Sequence, residues 1–284
     1  MTFSIVAASP DGRSWGVAVA SKFLAVGAAV PALEAGAGAL ATQAFANLGY
    51  RPQGLALLRA GLGAQQVVDA VTTADEGRAH RQLGVVDVRR GSATFTGAEC
   101  MEWAGGRTGD GYAIQGNILA GPEVVEAMER AWLEFDDPGG ATSLALARRL
   151  LAALAAGDAA GGDRRGRQSA ALVVVGLDGA VGEGPGRGQG ADVLADVRVD
   201  DSPAPVEELG RLLGLADLYF GAPDPATLLP LTGDLADDVA RRVRALGHPD
   251  LETWAGVENY EGRLVDGAID PVVLAKLREA TPDA

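Results

Sequence analysis

The sequence predicts an α+β fold, with antiparallel strands and paired helices packed in layers over residues 1–200 and a smaller helical domain over 206–284. Three observations carry this. Several short runs alternate apolar residues at every second position between turn residues, which is the period of strands. Segments with helical spacing come in pairs between those runs, so strands and helices form blocks and do not alternate as βαβ units would. The stretch DDSPAP, Asp200–Pro205, is polar and proline-containing, and after it only helical spacing is found.

The first run begins immediately. Phe3, Ile5 and Ala7 alternate with Thr2, Ser4 and Val6, and SPDG (Ser9–Gly12) turns the chain toward a partner strand over Trp15–Ala20. The amino terminus is therefore expected to be held inside the structure. AGAGALATQA, residues 35–44, is small and apolar and reads as a strand packed close to other backbone. Two helices follow, one marked by Leu55, Leu57 and Leu58, the other by Val67, Val68 and Val71, with AGLG as the break. QLGVVDV (82–88) and SATFTG (92–97) form a hairpin about RRG, and YAIQGNIL (112–119) is a further strand.

Gly121-Pro122 opens a helix carrying Val124, Met128, Trp132 and Phe135 at helical spacing. Ser143 is placed to cap the next helix, whose apolar face has Leu146, Leu150 and Leu154 and which is expected to stop at Gly157. SAALVVVG (169–176) is a strongly apolar strand, DGAVGEGPGRGQG (178–190) a turn-rich connection, and ADVLADVRVD (191–200) the last strand. Past the linker, Val206, Leu209, Leu213, Ala216 and Phe220 mark one helix, and Leu235, Val239, Val243 and Leu246 a second that ends at Gly247. Asp270-Pro271 caps and opens a third, with Val273, Leu274 and Leu277 inward.

Composition excludes several classes of function. A net charge of −14 disfavours nucleic acid and anionic membrane surfaces, both of which need a basic face. The single cysteine, Cys100, rules out an internal disulfide and suits a reducing compartment. No basic-then-apolar leader and no long apolar span is visible, so a cytoplasmic protein is expected. The two histidines, His80 and His248, have no zinc-ligand partner at the right spacing, and neither metal nor cofactor is expected. GEGPGRGQG lacks the lysine and following helix of a phosphate loop and reads as a hairpin loop. Cys100 has no adjacent base and reads as a small buried hydrophobe.

Thr2 remains. An initiator methionine before threonine is ordinarily removable, which would leave Thr2 with a hydroxyl and a free amine. An α-amine titrates at about 8, so part of it is neutral at pH 7 and can take the proton of its own residue's hydroxyl.

The blocks MTFSIVA, GVAVASKFLAVGAAVP, GAGALATQAFAN, GNILAG and AAGGDRRGRQSAALVVV resemble the domain-of-unknown-function 1028 family across residues 1–200. That family is placed among the amino-terminal-nucleophile (Ntn) hydrolases. The resemblance implies a four-layer αββα sandwich with Thr2 as nucleophile, and it names no substrate. The tail, through LGLADLYFG, LADDVARRVRALG and WAGVENYEGRLVDGAIDPVVLAKL, is similar to a peptidoglycan-binding-like module, with Asp270 where that pattern has a glycine before proline.

The implied reaction is hydrolysis of a small amide or peptide-like compound, cell-wall-derived compounds included. Lys22 is a candidate to depress the amine's proton affinity, or else a solvated lysine after a strand. Asn47 and Asn117 are amide donors for an oxyanion, or else turn caps. Asp163, Arg164, Arg165, Gln168 and Ser169 form a loop suited to a carboxylate-bearing substrate, or else a structural Asp–Arg network. A catalytically inactive scaffold on the same fold is the alternative, and a homo-oligomer is compatible with either.

Overall fold

The computed structural model describes residues 2–137, 144–177 and 193–282. Among them, two compact units separate, the first taking the described residues up to Leu213 and the second those from Gly214.

In the first unit β1 (Thr2–Ala8) and β2 (Ser14–Ser21) form the expected hairpin, closed by Gly12 at φ +69°. The chain continues through α1 (Val26–Ala29), β3 (Pro31–Glu34), β4 (Gly38–Ala44), α2 (Tyr50–Arg59) and α3 (Ala64–Thr73). Next come β5 (Arg81–Asp87), β6 (Ser92–Thr96), β7 (Gly105–Gly109), β8 (Tyr112–Asn117), α4 (Glu123–Leu133) and α5 (Ala145–Ala159). The unit ends with β9 (Ser169–Gly176), β10 (Val193–Val199) and the first half of α6 (Pro205–Phe220). Two antiparallel sheets result, in the orders β10-β9-β2-β1-β8-β7 and β3-β4-β5-β6.

Three apolar clusters define the packing. Phe3, Ile5 and Leu172 of the larger sheet pack on Val124, Met128, Leu150 and Leu154 of α4 and α5. On the opposite face of that sheet, Val6, Val17 and Val19 meet Ala39, Ala41 and Val86 of the smaller one. Leu40, Leu83 and Val85, on the far face of the smaller sheet, pack on Leu58, Val67 and Val71 of α2 and α3. The central strand β1 is thus covered on both faces, and all seven of its residues are buried.

Most expected elements are present within a residue or two. In the first unit α1, β3 and β7 were not expected: α1 and β3 are four residues each, and β7, GGRTG, has no apolar residue to set a period. Past the linker, the strand pair Leu229–Pro230 with Ala268–Ile269 and the helix Leu251–Val257 were not expected either. The expected stop at Gly157 is corrected. α5 runs on to Ala159 because Gly157 is there for close packing: a Cβ would lie 2.6 Å from Met128 Cγ. The turn comes at Gly161 and Gly162, with φ of +109° and +48°. Ser143 and the glycine-rich stretch 178–190 lie outside the described residues. The boundary between units falls inside α6, beyond the expected linker, because Val206, Leu209 and Leu213 join the first unit's core.

In the second unit, β11 (Leu229–Pro230) precedes α7 (Gly233–Ala245) and α8 (Leu251–Val257), and β12 (Ala268–Ile269) pairs with β11 before α9 (Pro271–Ala280). Val239, Val243, Trp254, Ile269, Leu274 and Leu277 form its core. Asp270 caps α9, accepting from the Val272 N–H at 2.8 Å, and its other oxygen accepts from Arg263 Nη1 at 2.7 Å. Arg263 is itself buried and donates to the carbonyls of Leu218 and Asp217.

One end of the space between the two sheets is polar. Ser4, Gln43, Gln82, Gln115 and Asn117 are at most 2% exposed. Ser4 donates to Gln43 Oε1 at 2.7 Å and accepts from Gln115 Nε2 at 2.7 Å. Gln82 Oε1 accepts from both Gln43 Nε2 (2.7 Å) and Asn117 Nδ2 (2.9 Å), and Gln82 Nε2 donates to the Gly116 carbonyl at 2.7 Å. Room for the Gln115 amide is made by Gly84, where a Cβ would sit 2.1 Å from Gln115 Oε1. Gly84→Ala should therefore displace that amide and lower the unfolding free energy by roughly 2–3 kcal/mol, read from denaturant titration. A change below about 0.5 kcal/mol would show that the network tolerates the methyl group.

Candidate functional site

Strand register aligns four polar side chains in a row. Thr2 pairs with Asn117 across β1 and β8, Phe3 pairs with Ala20, and Ser21 pairs with Ser169 across β2 and β9. Asn117, Thr2, Ser21 and Ser169 therefore cross four strands at one end of the larger sheet. Because side chains alternate between faces, they share the face of Val6, Val17 and Val19, toward the smaller sheet.

Thr2 is 6% exposed, and its Oγ1 is hydrogen-bonded to Ser21 Oγ at 3.1 Å. Its carbonyl accepts from Gln43 Nε2 at 3.3 Å and Asn117 Nδ2 at 3.4 Å, which ties the first residue of β1 into the inter-sheet network. Ser169 Oγ donates to the Phe23 carbonyl and accepts from the Val26 N–H, so it fixes the loop after β2.

The row opens on a cleft of about 570 Å³. Thr2, Asn117 and Arg165 line it with Gln43, and its remaining wall is largely apolar, with His80, Glu99 and Cys100 at one side. His80 Nε2 is 2.8 Å from Glu99 Oε2, and burial pushes the Cys100 thiol above its ordinary pKa, away from a reactive thiolate. Among the described residues no group of three or more histidine, cysteine or carboxylate side chains could hold a metal ion.

Of the residues singled out in the sequence, Thr2, Asn117 and Arg165 come together at the cleft. Asp163 is buried behind them. Its Oδ2 accepts from the Lys22 backbone N–H at 2.7 Å, its Oδ1 accepts from the Arg165 N–H at 2.9 Å, and the Arg165 guanidinium lies 3.3 Å from Oδ2. The loop is thus built as an Asp–Arg network with Arg165 at the cleft. Lys22 contributes its main chain to that network, and its Nζ donates outward to the Arg167 carbonyl at 3.2 Å. Arg164 is exposed, and Gln168 donates to Asp201 at 3.1 Å.

Asn47 is engaged elsewhere. Its Nδ2 donates to Asp75 Oδ2 at 3.1 Å and its Oδ1 accepts from the Gly49 N–H at 3.0 Å. Asp75 also accepts from Arg81 Nε (2.9 Å), the Tyr50 hydroxyl (2.9 Å) and the Gly77 N–H (2.8 Å). These donors, Arg81 first, hold its carboxyl well below the usual carboxylate range, while burial and the neighbouring Asp75 push the Tyr50 hydroxyl upward.

Sequence reasoning missed Ser21, Gln43, Gln82 and Gln115. The available signal was a polar side chain at an inward position of an otherwise apolar strand, as in YAIQGN.

Residues 2–209 match the family described as "Family of unknown function (DUF1028)", and residues 219–277 match the "Putative peptidoglycan binding domain". A crystal structure of protein SPO2555 from Silicibacter pomeroyi, assigned to the same family, is 32% identical, covers 83% of this chain and 92% of that chain, and superposes with a TM-score of 0.65. No curated protein matches.

The Asp75 cluster gives a pH-dependent expectation. A carboxyl depressed in the folded state contributes stability above its unfolded pKa, and that contribution is lost as pH falls toward the folded value. Asp75→Asn should lower the unfolding free energy by about 1–3 kcal/mol at pH 7, with the difference from the parent shrinking below about pH 4. A difference that stays constant down to about pH 2 would remove the charge from the explanation.

Proposed function

The chain belongs to the family of unknown function DUF1028, and on that premise we propose that it is an amide hydrolase of the amino-terminal-nucleophile type, with Thr2 as nucleophile once Met1 is removed. The observation that carries the reading is the position of Thr2: its side chain lies at the first residue of a doubly covered central strand, hydrogen-bonded to Ser21 and facing the cleft. The three apolar clusters support the corresponding αββα sandwich, with helices, sheet, sheet and helices in succession.

In this mechanism Thr2 Oγ1 adds to the amide carbonyl carbon as its proton passes to the Thr2 α-amine. The resulting oxyanion collapses, the C–N bond breaks, and the ammonium returns the proton to the leaving nitrogen. Water, deprotonated by the same amine, then cleaves the acyl ester to release a carboxylic acid and restore Thr2. Asn117 is given a positioning role, since its amide donates to Gln82 Oε1 and to the Thr2 carbonyl. Arg165 is the cation at the cleft suited to an oxyanion or a substrate carboxylate. The tail's match to a peptidoglycan-binding description supports a cell-wall-related ligand and, as substrate, a small amide or peptide-like compound. Among the described residues no helix is long and apolar enough to cross a membrane; the single free cysteine supports a reducing, cytoplasmic setting.

Intact mass gives the state of Met1, and an amide library gives turnover. Thr2→Ala should abolish hydrolysis while lowering stability by only about 1 kcal/mol, the worth of one hydroxyl bond. Thr2→Ser should retain part of the activity, and an extra non-removable residue before Thr2 should be as damaging as Thr2→Ala. Undiminished turnover in that extended form would overturn the free-amine mechanism and favour the scaffold reading.

The working base is the neutral amine, so kcat/KM should rise with pH through roughly 7–8, the ordinary α-amine range. A profile flat between about pH 6 and 9 would contradict it.

A further inference from the structure

We propose that the cleft beside Thr2 binds an amphiphilic amide, one whose amide group sits at the Thr2 end and whose medium-length hydrocarbon or aromatic substituent runs outward along the cleft. This rests on the reading of Thr2 as nucleophile for its chemistry, and on the cleft wall alone for its binding.

The wall is graded. Its most buried polar lining is the hydroxyl of Thr2 and the amides of Gln43 and Asn117. Val26 and Val30 are buried in the lining too, and its exposed apolar residues are Phe23, Phe45, Leu48 and Met101, at 54%, 71%, 54% and 60%. Single exposed hydrophobic residues are ordinary on a protein surface. Here four large ones, from the loops after β2, β4 and β6, converge on one opening that leads to a hydroxyl, and a clustered apolar patch of that kind marks a binding surface. These apolar residues line the same cleft as Thr2, and its volume of about 570 Å³ falls within the range of small-molecule sites.

The charges beside the apolar lining favour a neutral body. His80 is paired with Glu99, and Arg165 lies against Asp163. A substituent bearing its own charge along the apolar stretch would lose hydration without compensation there. A hydrocarbon substituent releases water from Phe45 and Met101 as it binds and gains affinity with each carbon it buries.

The test uses the full chain as Thr2→Ala, so that binding is measured without turnover. Two homologous series are titrated by calorimetry: primary alkanamides from butanamide to octanamide, which extend the acyl side, and N-alkylacetamides from N-butyl to N-octyl, which extend the amine side. Affinity should rise about fourfold per added methylene in at least one series, and the series that rises assigns the side of the scissile bond. Phe45→Asp and Met101→Asp, both at exposed positions, should each cut octyl-series affinity by about tenfold or more, with unchanged circular dichroism. Flat affinity in both series overturns the proposal, as does an aspartate variant that changes sedimentation but not binding, which would make the apolar mouth a contact between copies of the chain. Chain-length-dependent binding with no hydrolysis by the Met1-processed parent upholds this inference and fails the nucleophile reading alone.

Discussion

A buried amide must find a partner for each of its donors and acceptors, and three buried glutamines between two sheets impose that requirement on the first unit. Gln82 is the junction. Its oxygen takes one bond from Gln43 on the neighbouring strand and one from Asn117 on the facing sheet, while its nitrogen reaches the Gly116 carbonyl across the gap. Apolar side chains between sheets can slide at small cost, whereas these bonds have direction and fixed length. They set how β4 and β5 lie over β1 and β8, and among the described residues no buried side-chain nitrogen or oxygen is left without a partner.

The candidate site is an outgrowth of that requirement. The amides that join the sheets also grip the Thr2 carbonyl, so the main chain of Thr2 is located by residues from both sheets, and Ser21 bonds its hydroxyl. Around it, two buried groups use main-chain bonds to hold loops: Ser169 fixes the segment after β2, and Asp163 fixes Lys22 and Arg165. Three loops with exposed apolar tips then surround a polar floor, and the floor is rigid because it is also the seam of the fold.

Much of the fold was legible because buried strands read as short apolar runs between turn residues, while half-buried helices repeat their apolar residues at helical spacing. The hairpin from Thr2 to Ser21 and strand β9 stand out as apolar runs, and helices α2 and α3 by the spacing of their apolar residues. β7 was invisible, since GGRTG pairs through its backbone alone, and Gly157 misled because a helix can need the absence of a side chain as well as a stop. At the site, Thr2 was legible from its place in the strand, whereas the difference between Asn117 and Asn47 was not. Both are asparagines near strand ends, and only the register that brings Asn117 beside Thr2, and the carboxylate that draws Asn47 away, tell them apart. Lys22 shows the same limit: its backbone serves the loop while its charged end points to another carbonyl.

The hollow at Gly84 binds the fates of two positions in the sequence. Carbon added at residue 84 has nowhere to go while a glutamine occupies residue 115, and shortening residue 115 alone leaves Ser4 without a donor and a gap the size of an amide between the sheets. Each single step passes through a less stable protein, whereas a larger residue at 84 with a smaller one at 115 exchanges volume across the seam. Divergence at this seam is therefore expected in matched pairs, as exchanges of volume between facing strands.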